Sequence, residues 1–177
     1  NLHAAAKQVV KDFSLSTSNN FPDTYEKIIT LKGVGAYTAA AVSSICFNEA
    51  RAVVDGNVYR FIARVFGIKT PIDSTDGKKE FQQMADELLD KKNPGEHNQA
   101  MMEFGARHCK PVNPFCNECP FEEMCFARRK NVVNQLPVKE KKTKVSKRHL
   151  HYFIFECKDK IFIKQRADDK DIWKGLY

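Results

Sequence analysis

No apolar run in this chain reaches the roughly 18 residues that a membrane-spanning helix needs, so the sequence offers no membrane partner. No apolar h-region leads it and no signal-peptide pattern opens it, which weakens the case for an oxidising compartment. Six cysteines in 177 residues are too few for a disulfide-stapled miniature scaffold. Internal repeats are absent. Acidic residues run short: 22 stand against 29 Lys and Arg, a formal net charge of +7. That excess favours a polyanionic partner, nucleic acid first, with ordinary solubility charge as the plain alternative. The length suffices for one good core and part of a second domain.

What cysteine there is lies concentrated. Cys109, Cys116, Cys119 and Cys125 share one stretch with the spacing C-x6-C-x2-C-x5-C. Four thiols this close can form disulfides, hold a tetrahedral zinc or hold an iron–sulfur cluster. Zinc sites usually draw two ligand pairs from two knuckles, and only Cys116 and Cys119 form such a knuckle. The wider gaps on either side suit one loop wrapped round a cubane with one thiolate per iron, so the spacing favours [4Fe-4S]. Pro111, Pro114 and Pro120 stiffen that loop. Cys46 and Cys157 stand apart in apolar surroundings and read as small buried hydrophobes.

The fold class reads as mainly α, with a linker and a short C-terminal β-hairpin. Asp23 and Glu26 give FPDTYEKIITL a capping-box-like start. After the turn at Gly33-Val34-Gly35 comes AYTAAAVSSICF, whose small residues admit a close neighbour. Val58, Phe61, Ile62, Val65 and Phe66 fall at i, i+3, i+4, i+7 and i+8, one helical stripe, and Phe81, Met84, Ala85, Leu88 and Leu89 repeat it. A further helix spans about Glu96 to His108. Asp55, just ahead of the first stripe, reads as its N-cap, worth about 1 kcal/mol. Residues 1–128 thus form a helical domain. Residues 129–148, dense in lysine, read as a linker. Residues 149–177 begin with HLHYFIFECKDKIFIKQR, two aromatic and β-branched runs about Lys158-Asp159-Lys160, a β-hairpin.

The turn Leu31-Lys32-Gly33-Val34-Gly35 exposes backbone N–H groups at a helix start, a phosphate site indifferent to base sequence. A plain glycine-rich connection between packed helices reads equally well from these residues alone. The order LKGVGAYTAAAV, VVDGNVYRFIARVFGI, four-cysteine loop is less common. It resembles the helix–hairpin–helix DNA glycosylases of the endonuclease III superfamily that carry a [4Fe-4S] loop. NQAMMEFGARHC and DGNVYRFIAR resemble, more narrowly, the MutY-type adenine DNA glycosylases. The closing DIWKGLY resembles the opening of that family's Nudix-like domain.

The resemblance implies base-excision repair: hydrolysis of the N-glycosidic bond of adenine mispaired with 8-oxoguanine or guanine in double-stranded DNA, by a monomer. It implies a helix–hairpin–helix at about 24–47 and a [4Fe-4S] cluster on Cys109, Cys116, Cys119 and Cys125. Asp55 would be the catalytic carboxylate that stabilises positive charge at C1′, and Asn57 would orient groups in the pocket. Gly33, Val34, Gly35 and Lys110, with Arg107 as a further candidate, would meet DNA phosphate. His108 would cover the cluster or lie on the surface. Tyr37 stands where bifunctional relatives carry the lysine that forms a Schiff base, which implies a monofunctional enzyme with Tyr37 lining the pocket. The family's general acid is a glutamate on an earlier helix, and none of Glu26, Glu49, Glu80 or Glu87 stands in its motif. The chain is therefore expected to be a fragment without activity of its own. Two other readings stay open: an endonuclease III-like glycosylase/lyase acting on damaged pyrimidines, and a DNA-binding module without catalysis.

Overall fold

The computed structural model describes residues 1–13, 21–140, 147–167 and 175–176. Two compact units emerge, Asn1–Lys142 and Thr143–Tyr177. The lysine run at 141–146 and most of the DIWKGLY tail lie outside the described residues. Among the described residues no helix is long and apolar enough to cross a membrane.

The first unit is helical: α1 Leu2–Phe13, α2 Tyr25–Ile28, α3 Ala36–Phe47, α4 Gly56–Phe66, α5 Thr75–Leu88, α6 Pro94–Arg107 and α7 Phe126–Arg129. Short 3-10 turns cover Cys116–Glu118 and Val133–Gln135. The core is built round α4. Val58, Phe61, Ile62 and Val65 are buried with Phe81, Ala85 and Leu89, as the two stripes require. Phe66 departs from its stripe and is exposed. Phe61, Phe104 and Phe121 meet edge to face with ring centroids 5.1–5.3 Å apart, the favoured aromatic geometry.

Small residues do what their size allows. Ala39, Ala40, Ser43 and Ser44 are the buried positions of α3. Gly95 on α6 comes so close that a Cβ there would sit 2.8 Å from the Ser44 carbonyl oxygen. Gly33 has φ +85°, a conformation open mainly to glycine, whereas Gly35 is extended at φ −102° and caps α3 without a side chain.

Three expectations need correction. The capping box is not formed: Thr24 is the N-cap of α2, and Asp23 instead pairs with Lys27 one turn on, at 2.8 Å. Cys46 and Cys157 are exposed, because the faces that carry them have no described neighbour to cover them. Residues 131–140, assigned to the linker, pack on the helical unit. Leu136 is 4% exposed, the Ile72 N–H donates to the Val138 carbonyl at 3.0 Å, and the Glu140 N–H donates to Asp73 Oδ1 at 3.0 Å. Sparse apolar residues hid this: Val132, Val133, Leu136 and Val138 supply the contact between polar neighbours.

In the second unit, β1 Glu156–Cys157 and β2 Lys160–Ile161 pair antiparallel, Glu156 opposite Ile161 and Cys157 opposite Lys160. Lys158 and Asp159 both take positive φ, the two-residue turn whose twist matches a hairpin. Phe153, Phe155 and Phe162 remain largely exposed.

Leu136→Ala tests the packed segment. It should lower stability by about 2–5 kcal/mol, the cost of emptying a buried leucine site. A linker residue would cost under about 0.5 kcal/mol. Chemical denaturation followed by helical circular dichroism reads the difference.

Candidate functional site

The segment from Arg51 to Val54, neither helix nor strand, leads to Asp55, whose backbone is extended at the start of α4. Asp55 is the N-cap of that helix. Its Oδ1 accepts from the Asn57 and Val58 N–H groups, each at 2.8 Å, and its Oδ2 accepts from Asn57 Nδ2 at 2.8 Å. The carboxylate therefore has its position fixed by three bonds at the positive end of a helix. A carboxylate offers about four acceptor sites, so among the described residues one remains for a further donor or a developing charge.

Asn57 is pinned from two further sides. Its Oδ1 accepts from Arg60 Nη2 at 2.9 Å. On α6, Gly105 lies so close that a Cβ there would stand 2.7 Å from Asn57 Cβ and 2.7 Å from its carbonyl oxygen. One turn earlier on the same helix, Met102 Sδ accepts from the Tyr37 hydroxyl at 3.6 Å. Helix α6 thus carries both the glycine that seats Asn57 and the methionine that meets Tyr37. Tyr37 is 48% exposed. It opens on a cleft of about 910 Å³ shared with Tyr25, Arg51 and Tyr59, which Asp55 and Asn57 do not line. Burial raises the Tyr59 phenol above its ordinary value.

Two arginines were not singled out from the sequence, yet they join the parts. Arg60 and Arg64 lie one turn apart on α4 and are both buried. Arg60 donates through Nε to the Cys109 carbonyl at 2.7 Å and through Nη2 to the Gly105 carbonyl at 2.5 Å. Arg64 donates to the Lys110 carbonyl at 2.8 Å, to Cys109 Sγ at 3.4 Å, and to the Val133 and Leu136 carbonyls at 3.0 and 3.2 Å. Burial pulls the Arg60 guanidinium below its ordinary value. The available signal was two cations at i and i+4 inside an otherwise apolar helix, which a buried face tolerates only when acceptors meet them. Asn98, on α6 and buried, was missed as well.

Cys109, Cys116, Cys119 and Cys125 line one pocket together with Phe61, Phe104, His108 and Arg64. All four are free thiols. Burial raises Cys116 and Cys119 above the ordinary thiol value, so metal binding there must expel protons. Among the described residues no three His, Cys, Asp or Glu side chains are gathered as ligands of a single ion. His108 stacks on Phe104 at a centroid distance of 4.9 Å and walls the pocket. Lys110 folds its Nζ over the Phe115 ring at 3.9 Å, and Arg107 pairs with Glu103 at 2.9 Å. Gly33, Val34 and Gly35 form the turn between α2 and α3, where the Val34 N–H donates to the Leu31 carbonyl at 3.0 Å.

The chain as a whole has known relatives. The human protein described as adenine DNA glycosylase is 40% identical over 136 residues, which cover 76% of this chain and 24% of that protein. The protein of that description from Buchnera aphidicola subsp. Acyrthosiphon pisum is 28% identical over 177 residues, all of this chain and 49% of its own length. The chain belongs to the adenine DNA glycosylase family. It spans between about a quarter and a half of these curated relatives. A thermostable thymine-DNA glycosylase superposes with a TM-score of 0.64 at 30% identity, covering 73% of this chain and 57% of that one. Endonuclease III in a non-covalent DNA complex shares the fold, with a TM-score of 0.61 at 24% identity over 74% of this chain and 57% of its own. No protein-family model matches the chain.

In this member of the adenine DNA glycosylase family the α4–α6 approach at Gly105 is directly testable. Gly105→Ala removes a helix cost of about 1 kcal/mol. The crowding against Asn57 outweighs that gain, and a net loss of about 1–2 kcal/mol is expected. It appears as a lower urea midpoint. A higher midpoint would show that α6 does not press on Asn57.

Proposed function

We propose that this chain is part of a monofunctional adenine DNA glycosylase, which removes adenine opposite 8-oxoguanine or guanine by hydrolysing its N-glycosidic bond. The observation that carries this reading is the Asp55 carboxylate, held by three hydrogen bonds with one acceptor site left among the described residues. The adenine is flipped from the duplex at a cost of a few kcal/mol. As the bond from C1′ to the base breaks, its electron pair leaves with the base and positive charge grows on the sugar. Asp55 stabilises that charge without moving, because its geometry is set before the substrate arrives. Water supplies the oxygen that bonds to C1′ and loses its extra proton to solvent. The departing adenine takes a proton from a general acid, a role the resemblance gives to a glutamate whose motif none of Glu26, Glu49, Glu80 or Glu87 matches. Asn57 orients Asp55 through the bond from its Nδ2. Tyr37 has no amine, so no Schiff base with C1′ forms at that position.

The α2–α3 turn at Gly33-Val34-Gly35 and the loop at Lys110 bear on DNA phosphate. The cysteines hold a [4Fe-4S] cluster. Four thiols lining one pocket, with only Cys116 and Cys119 spaced as a zinc knuckle, suit one loop wrapped round a polynuclear cluster better than a zinc held by two ligand pairs. When bound, the cluster staples the Cys109–Cys125 loop and takes no part in bond cleavage.

Asp55→Asn keeps the helix cap and removes the charge. In the complete protein it should lower adenine release from an adenine–8-oxoguanine duplex at least 100-fold in single-turnover kinetics. Unchanged release would remove Asp55 from the mechanism, and an adduct trapped by borohydride on the wild type would overturn the monofunctional reading. Metal analysis is expected to give four irons and four sulfides per chain with a broad visible absorption, abolished in Cys119→Ser. One zinc per chain would refute the cluster.

A further inference from the structure

We infer that Asn98 is a positioning residue for Asp55, an inference that rests on the glycosylase reading of that carboxylate. The segment that delivers Asp55 belongs to no helix or sheet, yet its hydrogen bonds alternate in side as those of an extended chain do. An extended chain points the carbonyl of one residue and the N–H of the residue two further on toward the same side, and the residue between them toward the other. A neighbouring strand normally meets these groups. Here a side-chain amide meets each side. Asn98 is 2% exposed; its Oδ1 accepts from the Val53 N–H at 3.0 Å, and its Nδ2 donates to the Arg51 carbonyl at 2.8 Å. On the opposite side Gln82 Nε2 on α5 donates to the Ala52 carbonyl at 3.2 Å.

One amide thus does the work of a strand partner. Its second Nδ2 proton goes to Ser44 Oγ at 3.0 Å, so Asn98 ties α6 to α3 and to the segment at once. Every donor and acceptor it needs is satisfied in a buried place where an orphan would be costly. The anchor lies two residues before Asp55. The Arg51 side chain adds a hold on the far end, bonded to Glu49 and Glu26 and stacked on Tyr25 at 4.5 Å. Asp55 receives no bond from Asn98, so the effect on chemistry runs through the backbone. A displacement of about 1 Å at a catalytic group can cost 100-fold in rate.

The test uses the complete protein with an adenine–8-oxoguanine duplex. Asn98→Leu keeps the volume and removes all three bonds. Asn98→Gln keeps both bonding groups but sets them one methylene further out, and serves if the leucine variant folds poorly. Of the three Asn98 bonds, Ser44→Ala removes only the one away from the segment, together with the Ser44 hydroxyl's own bond to the Ala41 carbonyl. The single-turnover rate should fall roughly tenfold to 100-fold in both Asn98 variants. Duplex affinity should stay within about twofold, and Val53 amide hydrogen exchange should speed up. Ser44→Ala should lower the melting temperature and keep the rate. A folded Asn98 variant with wild-type rate overturns the inference, as does a Ser44→Ala rate as low as that of Asn98→Leu. A wild type that releases no adenine overturns the glycosylase reading and this role with it.

Discussion

Two buried guanidinium groups on one helix hold the helical unit in its particular form. Arg60 and Arg64 project from α4 into carbonyl oxygens of α6, of the cysteine loop and of the segment at 133–136. A buried cation without acceptors is among the costliest defects a core can carry. Those acceptors belong to loops with little secondary structure of their own, so the arginines and the loops each depend on the other's place. Apolar packing on Phe61 and Val65 would bring the loop near, but only directional bonds fix its backbone.

The same helix supplies the chemistry end. Asp55 stops the chain from continuing extended and starts α4, and the three bonds that make the cap also immobilise the carboxylate. A structural N-cap and a reactive carboxylate are therefore compatible. Close glycine contacts complete the frame: Gly95 seats α6 on α3, and Gly105 seats it on Asn57. No side chain larger than hydrogen fits either approach without movement.

The helix positions and the core stripe of α4 were legible in the residues, because apolar spacing of 3.6 leaves few alternatives over ten residues. The hairpin turn was legible too, although only Gly33 of its two glycines needs a left-handed backbone. The packing of residues 131–140 was not, since four scattered apolar side chains among polar ones look like a linker until α4 and Arg64 are set beside them. Exposed Cys46 and Cys157 were misread for a related reason: an apolar local context does not say whether another element covers it.

By itself the sequence determined the order of the helices, the spacing of the four thiols and the placing of an aspartate ahead of an apolar helix. It did so because these properties depend on neighbours within a few residues. Only the tertiary structure decided that Arg60 joins Asn57 to the Cys109 carbonyl, that the four cysteines face one pocket, and that Asn98, 43 positions beyond Asp55 in the chain, stands in for a strand beside it. Hydrogen bonds between residues some 45 apart leave no periodic trace in a sequence, because only the folded chain brings donor and acceptor together.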